Sequence, residues 1–300
     1  MKTIDATADA AGFNSRTRPI RDLVELVKAR LTLLVLLTTA VGYYVAADPP
    51  VNYIGLFHVV LGTAMAAAGA SALNQWREYR FDAMMLRTRT RPVPAGRMQP
   101  GHALVLGSVF SIFGVVYLSF AVNPLSAVLA AITIVIYVFA YTPLKRVSTF
   151  NTALGAVPGA IPPMIGWVAA RGSLDAGAWS LFAILFFWQL PHFFAIAWMC
   201  REDYARAGFQ MISGDDETGA RSASQSVFFS ILLLVIAGVP AFLGFASILY
   251  LPVELILSGA FIVLAMRFLR TRALADARLL FFGSIIYLPL LLAALVITKV

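Results

Sequence analysis

Long hydrophobic runs alternate with short charged segments along most of the chain. A helix that crosses a hydrocarbon core about 30 Å thick needs roughly 20 residues. The run from Met98 to Leu144 is too long for one crossing, and Asn123-Pro124 supplies a turn within it. The run from Ser222 to Met266 likewise divides near Leu251-Pro252. The pattern therefore predicts nine spans, at about 26–46, 53–73, 102–121, 125–143, 151–170, 177–199, 226–247, 251–267 and 279–298.

We expect an all-α polytopic membrane protein in which residues 21–300 form a single bundle of nine transmembrane helices. A flexible cytoplasmic tail is expected over residues 1–20, which are largely polar. The composition agrees, since 60% of residues are hydrophobic and 13% are charged, against roughly 45–50% and 25% in soluble domains. Cys200 is the only cysteine, which excludes an intramolecular disulfide and a cysteine metal cluster.

The basic residues indicate an orientation. With the N-terminus in the cytoplasm, only Arg171 and Lys299 of the 23 lysines and arginines fall outside. The net charge of +8 then lies on one membrane face, where it could serve topology, anionic lipid headgroups or an anionic substrate. Nucleic acid is a poor partner for so apolar a chain. The tail lacks an arginine- and serine-rich transit pattern, so we expect a bacterial inner membrane.

An acidic cluster follows the second span. Asn74, Glu78 and Asp82 are spaced i, i+4, i+8 and share one helical face. Two carboxylates and an amide oxygen aimed the same way suit Mg²⁺, which prefers oxygen ligands and often binds substrate phosphate too. The alternative is a solvated helix end whose acids pair with Arg77 or Arg80.

A proline-constrained loop next to this cluster carries four arginines, and arginine matches phosphate oxygens in a bidentate fashion. They are Arg87, Arg89, Arg91 and Arg97. A carboxylate-held metal beside arginines is what a diphosphate leaving group requires. The sequence therefore favours a site near the cytoplasmic face for a metal-bound diphosphate.

Three further features could belong to such a site. The sixth span ends with acids, an arginine and a tyrosine over residues 201–206, and the fourth ends with Lys145 and Arg146. Solvated helix ends and positive-inside loading explain these equally well. His192 lies deep in the sixth span, where an ionisable residue is either functional or a satisfied core group. The glycine- and proline-rich stretch 151–163 indicates a helix break against protein or a cavity.

Three motifs, in the same order, resemble those of the UbiA-type membrane prenyltransferases, in particular the branch that farnesylates protoheme IX. They are NQWREYRFDAMMLRTRTRPVPAGR, YTPLKRVSTFNTALGAVPGAIPPMIGW and FFWQLPHFFAIAWMCREDYARAGFQM, and the stretch 74–211 that contains them is about half the chain. The resemblance implies the nine-helix UbiA-type fold. Glu78 stands where many relatives carry aspartate, and the third motif lacks a repeated aspartate at four-residue spacing.

The resemblance also implies residue roles. Asn74, Glu78 and Asp82 would bind Mg²⁺ and, with Asp203, form the catalytic set. Diphosphate contacts would come from Arg87, Arg91, Arg97, Lys145 and Tyr204, and a haem contact from His192.

The activity so implied is transfer of the farnesyl group of farnesyl diphosphate to a vinyl group of haem B, which gives haem O for terminal oxidases. The implied partners are the lipid bilayer and haem A synthase or oxidase assembly proteins. One alternative keeps the diphosphate site but prenylates an aromatic quinone precursor or a chlorin. Another is a membrane transporter, although the charges gather at one face instead of crossing the midplane.

Overall fold

The computed structural model describes residues 19–300, which form helices joined by short loops. The helices are α1 (Pro19–Leu26), α2 (Ala29–Ala46), α3 (Tyr53–Asp82), α4 (Pro100–Ala121), α5 (Pro124–Leu144), α6 (Asn151–Arg171), α7 (Ala176–Met199), α8 (Arg201–Arg206), α9 (Ala220–Phe242), α10 (Tyr250–Thr271) and α11 (Leu274–Ile297). Within these residues all but α1 and α8 are long and apolar enough to span a membrane. The predicted nine-helix bundle is confirmed, while residues 1–18 of the predicted tail lie outside the described residues.

Helix α3 is longer than the predicted span 53–73. It continues from residue 73 to Asp82, so the acidic cluster lies on the last turns of this helix, as its i, i+4, i+8 spacing predicts. The short helix α1 was not predicted. It begins inside the expected tail and buries Asp22 and Leu26 against the bundle.

Helix α9 begins earlier and ends earlier than the predicted span 226–247. The carboxylate of Asp216 accepts hydrogen bonds from the backbone amides of Arg221 (3.2 Å) and Ser222 (2.7 Å), which caps the first turn. At the other end Gly244 adopts a positive φ of 81° and turns the chain away from the helix. These local signals outweighed the hydrophobic run in setting the helix bounds.

Small residues bring neighbouring helices close together. A Cβ atom at Gly69 of α3 would lie 2.3 Å from the hydroxyl oxygen of Ser111 on α4, so only glycine permits this approach. Helix α6 is interrupted at Ile161, between Pro158 and Pro162, and all three residues are buried in protein. This agrees with the expected break against protein. The packing holds the ends of α3, α5 and α7 together at one end of the bundle.

Candidate active site

The predicted acidic cluster forms one buried polar surface on α3, called here the acidic face: Asn74, Glu78 and Asp82. The exposed fractions of these residues are 1%, 4% and 1%. Their spacing places them on successive turns of the same helix face. Buried carboxylates are costly unless they are paired, so their partners define what this surface can do.

Each member of the acidic face lies against a cation from a different part of the chain. Lys28 donates to Asn74 Oδ1 at 2.6 Å, and Lys145 lies 2.7 Å from Glu78 Oε1. Arg91 lies 2.8 Å from Asp82 Oδ2. The structure therefore brings five of the predicted or newly found charged groups together around one helix end.

Lys28 is a site residue that sequence reasoning did not single out. It lies between α1 and α2 with a positive φ of 48°, and it also donates to the hydroxyl of Tyr137 at 3.0 Å. Burial, and to a smaller extent the nearby charge of Arg91, lower the pKa of Lys28 to about 7, although the Glu78 carboxylate opposes this shift. A single lysine among several basic residues near the N-terminus gives no sequence signal for such a role.

The end of α5 fixes Lys145. The preceding segment Ile136–Tyr141 is a π-helical turn, and the hydroxyl of Thr142 accepts a hydrogen bond from Asn74 Nδ2 at 3.1 Å. The Lys145 ammonium lies 4.5 Å from the centroid of the Tyr141 ring. Burial alone would lower the pKa of Lys145, but the Glu78 carboxylate raises it above its ordinary value. The ammonium therefore stays charged beside its partner.

The loop between α3 and α4, called here the arginine loop, carries Arg87, Arg89, Arg91 and Arg97. These arginines contact two different parts of the structure. Arg91 faces Asp82, and Thr88 strengthens this end of α3 by donating to the backbone carbonyl of Asp82 at 2.8 Å. Arg97 instead donates to Asp22 at 2.8 Å and to Glu25 at 3.0 Å, which fastens α1 to the loop. Within residues 19–300 its hydrogen bonds do not reach the acidic face. Arg87 is exposed on the surface near Tyr204.

The acidic residue Asp203 on α8 contacts backbone amides of the loop that follows the acidic face. Asp203 accepts hydrogen bonds from the amides of Leu86 (3.2 Å) and Arg87 (3.4 Å) and pairs with Arg206. Burial acts to raise the pKa of Asp203, but these hydrogen bonds lower it below its usual range, so the carboxylate is ionised at neutral pH. Burial raises the pKa of Tyr204 to about 12, which keeps its phenol protonated.

Asp203 is accordingly expected to act as a positioning residue for the arginine loop. Substitution of Asp203 with alanine removes both loop contacts and should raise KM for a diphosphate substrate about tenfold while kcat changes less. Steady-state kinetics at saturating acceptor measure this split. Glu202→Ala is the matched control, since Glu202 is the adjacent exposed acid. Equal effects of the two substitutions would contradict the assignment.

A cavity of about 530 Å³ opens beside the acidic face, between the ends of α3 and α5. It is lined by Arg77, Glu78, Phe81, Thr142, Pro143, Arg146, Val147 and Phe209. Glu78 therefore connects the polar centre to a space with largely apolar walls. Such a combination fits a substrate with an anionic end and an apolar body.

His192 lies deeper in the bundle, on α7. Its Nδ1 is 2.6 Å from the hydroxyl of Ser284, and its ring stacks with Trp188 and Phe281 at centroid distances of 5.4 Å and 4.9 Å. The Ser284 hydroxyl donates to the backbone carbonyl of Phe281 at 2.6 Å, so it accepts from His192. This arrangement places the proton on Nδ1 and leaves the lone pair on Nε2, which has no hydrogen-bond partner among residues 19–300.

The donor set of the acidic face can be compared with the needs of a metal ion. In residues 19–300 no group of three or more histidine, cysteine, aspartate or glutamate side chains is placed to share a metal. The acidic face has two carboxylates and one amide, so a divalent cation here would need further oxygen ligands from water and phosphate. Mg²⁺ is bound in this manner. The chemistry of the donors fits Mg²⁺ delivered with a diphosphate.

Comparison with known proteins identifies a family and a shared fold. The sequence model of the UbiA prenyltransferase family matches residues 35–286. The protoheme IX farnesyltransferase of Solibacter usitatus is 43% identical over 93% of this chain and 99% of that protein. The enzyme of the same name from Opitutus terrae is 45% identical over 93% and 94% of the two chains.

Solved structures share the architecture at low identity. A structure of digeranylgeranylglyceryl phosphate synthase has a TM-score of 0.78 and 16% identity over 93% of this chain and 98% of that chain. A UbiA homologue from Archaeoglobus fulgidus bound to GPP and Mg²⁺ has a TM-score of 0.68 and 14% identity, covering 91% and 99%. These likenesses establish the fold.

Proposed function

The chain belongs to the UbiA prenyltransferase family, and from this premise we propose that it transfers the farnesyl group of farnesyl diphosphate to a vinyl group of haem B. The products are haem O and diphosphate, and haem O serves terminal oxidases. The observation that best supports binding of a diphosphate is that every member of the acidic face is paired with a cation from another segment. The identity of the acceptor is supported by the names and the 43–45% identity of the relatives.

Asn74, Glu78 and Asp82 would hold Mg²⁺ in this proposal. When bound, the ion neutralises part of the charge on the diphosphate and makes it a better leaving group. Lys28, Lys145 and Arg91 each lie 2.6–2.8 Å from a side-chain oxygen of a different one of these three residues. They are therefore close enough to exchange a carboxylate or amide partner for a phosphate oxygen as substrate enters.

The chain's own residues stabilise the leaving group. Lys145 and Arg91, which contact Glu78 and Asp82, donate to the diphosphate oxygens, and Arg87 adds charge at the surface. Tyr204 remains a phenol and so can donate a hydrogen bond. Arg97 contributes indirectly, because it secures α1 and thereby the position of Lys28.

The bond between the allylic carbon and oxygen breaks, and diphosphate leaves with the electron pair. The terminal vinyl carbon of haem B attacks the allylic cation, which moves the positive charge to the carbon next to the ring. Water adds there and loses a proton, giving the hydroxyethylfarnesyl group. A largely apolar cavity protects the first cation from premature attack by water.

In this proposal the basic end of the bundle lies at the cytoplasmic face of a bacterial inner membrane. Among residues 19–300, all lysines and arginines except Arg171 and Lys299 lie in the segments at this end, in agreement with the positive-inside rule. Both substrates then keep their charged ends in the cytoplasmic interface while their apolar parts extend into the bundle. Haem A synthase or oxidase assembly proteins would receive the product.

His192 is proposed to contact haem through Nε2. Cys200 follows the end of α7, and at a rise of 1.5 Å per residue His192 lies about 12 Å from it along the helix axis, inside the bundle. The Nδ1–H tautomer of His192 offers a neutral ligand. His192→Ala should weaken haem B binding about tenfold and change the Soret band, with KM for farnesyl diphosphate unchanged. His58→Ala is the control, since His58 pairs with Tyr117 at 2.7 Å elsewhere in the bundle. Normal haem affinity and turnover in the His192 variant would remove this role.

A direct assay tests the proposed activity. Purified protein is incubated with farnesyl diphosphate, MgCl₂ and haem B, and products are followed by mass spectrometry together with diphosphate release. We expect haem O and stoichiometric diphosphate, both suppressed by EDTA. Diphosphate release without modification of haem would overturn the choice of acceptor.

A further inference from the structure

Two arginines in the cavity have no acidic partner. Arg77 and Arg146 both line this cavity, and they lie on α3 and just after α5 respectively. Within residues 19–300 neither side chain forms a salt bridge or a hydrogen bond. The neighbouring cations Lys145 and Arg91, by contrast, are each paired with a carboxylate. Arg77 and Arg146 are exposed at this cavity, so their N–H donors are free to bind anions that enter it.

Aromatic rings hold both guanidiniums without neutralising them. The Arg77 guanidinium lies 5.7 Å from the centroid of the Phe139 ring, and that of Arg146 lies 4.7 Å from the centroid of the Phe81 ring. Cation–π contacts fix a position while leaving the N–H donors able to bind oxygen. The arginines are thus ordered in advance for a ligand that brings two separate negative groups.

The cavity walls restrict the kind of ligand. Phe81, Pro143, Val147 and Phe209 also line the cavity and are apolar, so the rest of it suits an apolar body. Haem B has this distribution, because two propionate carboxylates lie on one half of the porphyrin and two vinyl groups on the other. Arginine binds carboxylates through paired N–H donors.

We propose that Arg77 and Arg146 bind the two propionates of haem B and so determine which edge of the porphyrin enters the bundle. This inference rests on the proposed farnesyl transfer to haem. With the propionates held at the basic face, the vinyl edge points inward. Glu78 lines the same cavity and belongs to the acidic face, so a diphosphate bound at the acidic face would lie next to the porphyrin. The two arginines would then select the acceptor without contacting the farnesyl donor.

The test compares haem B with its dimethyl ester, in which both propionates are masked. Wild-type protein, Arg77→Gln, Arg146→Gln and the double variant are titrated with each porphyrin by absorbance. Arg270→Gln is the matched control, since Arg270 is exposed on α10 and lies outside the cavity. KM for farnesyl diphosphate is measured in parallel.

We expect each single variant to bind haem B about tenfold more weakly and the double variant to lose all preference for haem B over the ester. Affinity for the ester, KM for farnesyl diphosphate and the control variant should be unchanged. Lysine variants at the two positions should recover part of the haem B affinity, which separates loss of charge from misfolding.

Two results would overturn the proposal. Equal weakening toward haem B and its ester would show that the arginines do not recognise carboxylates. A raised KM for farnesyl diphosphate with unchanged haem affinity would assign them to the diphosphate. Failure of the proposed function is distinguishable, because wild-type protein would then bind haem B without converting it to haem O.

Discussion

Asp82→Asn is expected to reduce farnesyl transfer about 10³-fold. The substitution keeps the size of the side chain but removes the negative charge that faces Arg91 at 2.8 Å and that would bind Mg²⁺. A buried carboxylate that contacts a metal and a guanidinium organises both, so its loss affects the transition state as well as binding. We expect kcat to fall and the Mg²⁺ concentration for half-maximal rate to rise.

Asp276→Asn provides the control for this experiment. Asp276 is also a buried aspartate near a helix end, and it pairs with Arg267 at 2.6 Å, but it belongs to α11. Its substitution should leave kcat and the Mg²⁺ dependence within about twofold of wild type. Unchanged turnover and Mg²⁺ dependence in Asp82→Asn would remove Asp82 from the site.

Lys145→Gln is expected to reduce kcat/KM for farnesyl diphosphate about 10²-fold. The ammonium is held between Glu78 at 2.7 Å and the Tyr141 ring, where it can stabilise negative charge on the departing diphosphate. Removal also leaves Glu78 buried without its cation, which disfavours the ionised carboxylate. Single-turnover measurements with saturating haem B separate the chemical step from substrate binding.

Arg221→Gln is the matched control for Lys145, since it removes one positive charge from an exposed position on α9. A general loss of surface charge would affect both variants at low ionic strength, whereas loss of a site contact would affect only Lys145→Gln. Equal rates for the two variants across a range of salt concentrations would contradict the role of Lys145.

Much of the fold was predictable because membrane helices obey simple length and charge rules. Nine hydrophobic runs and the distribution of lysine and arginine were sufficient for the number of spans, and three motifs for the family, which the comparisons confirm. The bounds of α9 were less predictable, because a capping carboxylate at Asp216 and a turn at Gly244 act locally within an otherwise continuous apolar sequence.

The site was predictable where its residues are close in sequence. Helical spacing was enough to place Asn74, Glu78 and Asp82 on one face. The pairing of this face with Lys28 and Lys145 depends on contacts between residues 46 and 67 positions apart, and no local pattern encodes such contacts. The specific roles of the site residues remain predictions, and the structure supplies the geometry on which they can be tested.

A competition for the farnesyl group tests most directly whether haem B is the acceptor. Purified protein is given farnesyl diphosphate and Mg²⁺ with equal concentrations of haem B and an aromatic acid of the quinone-precursor type, and all prenylated products are identified by mass spectrometry. We expect hydroxyethylfarnesyl haem and an unmodified aromatic acid. A farnesylated aromatic acid with haem B untouched would contradict this expectation.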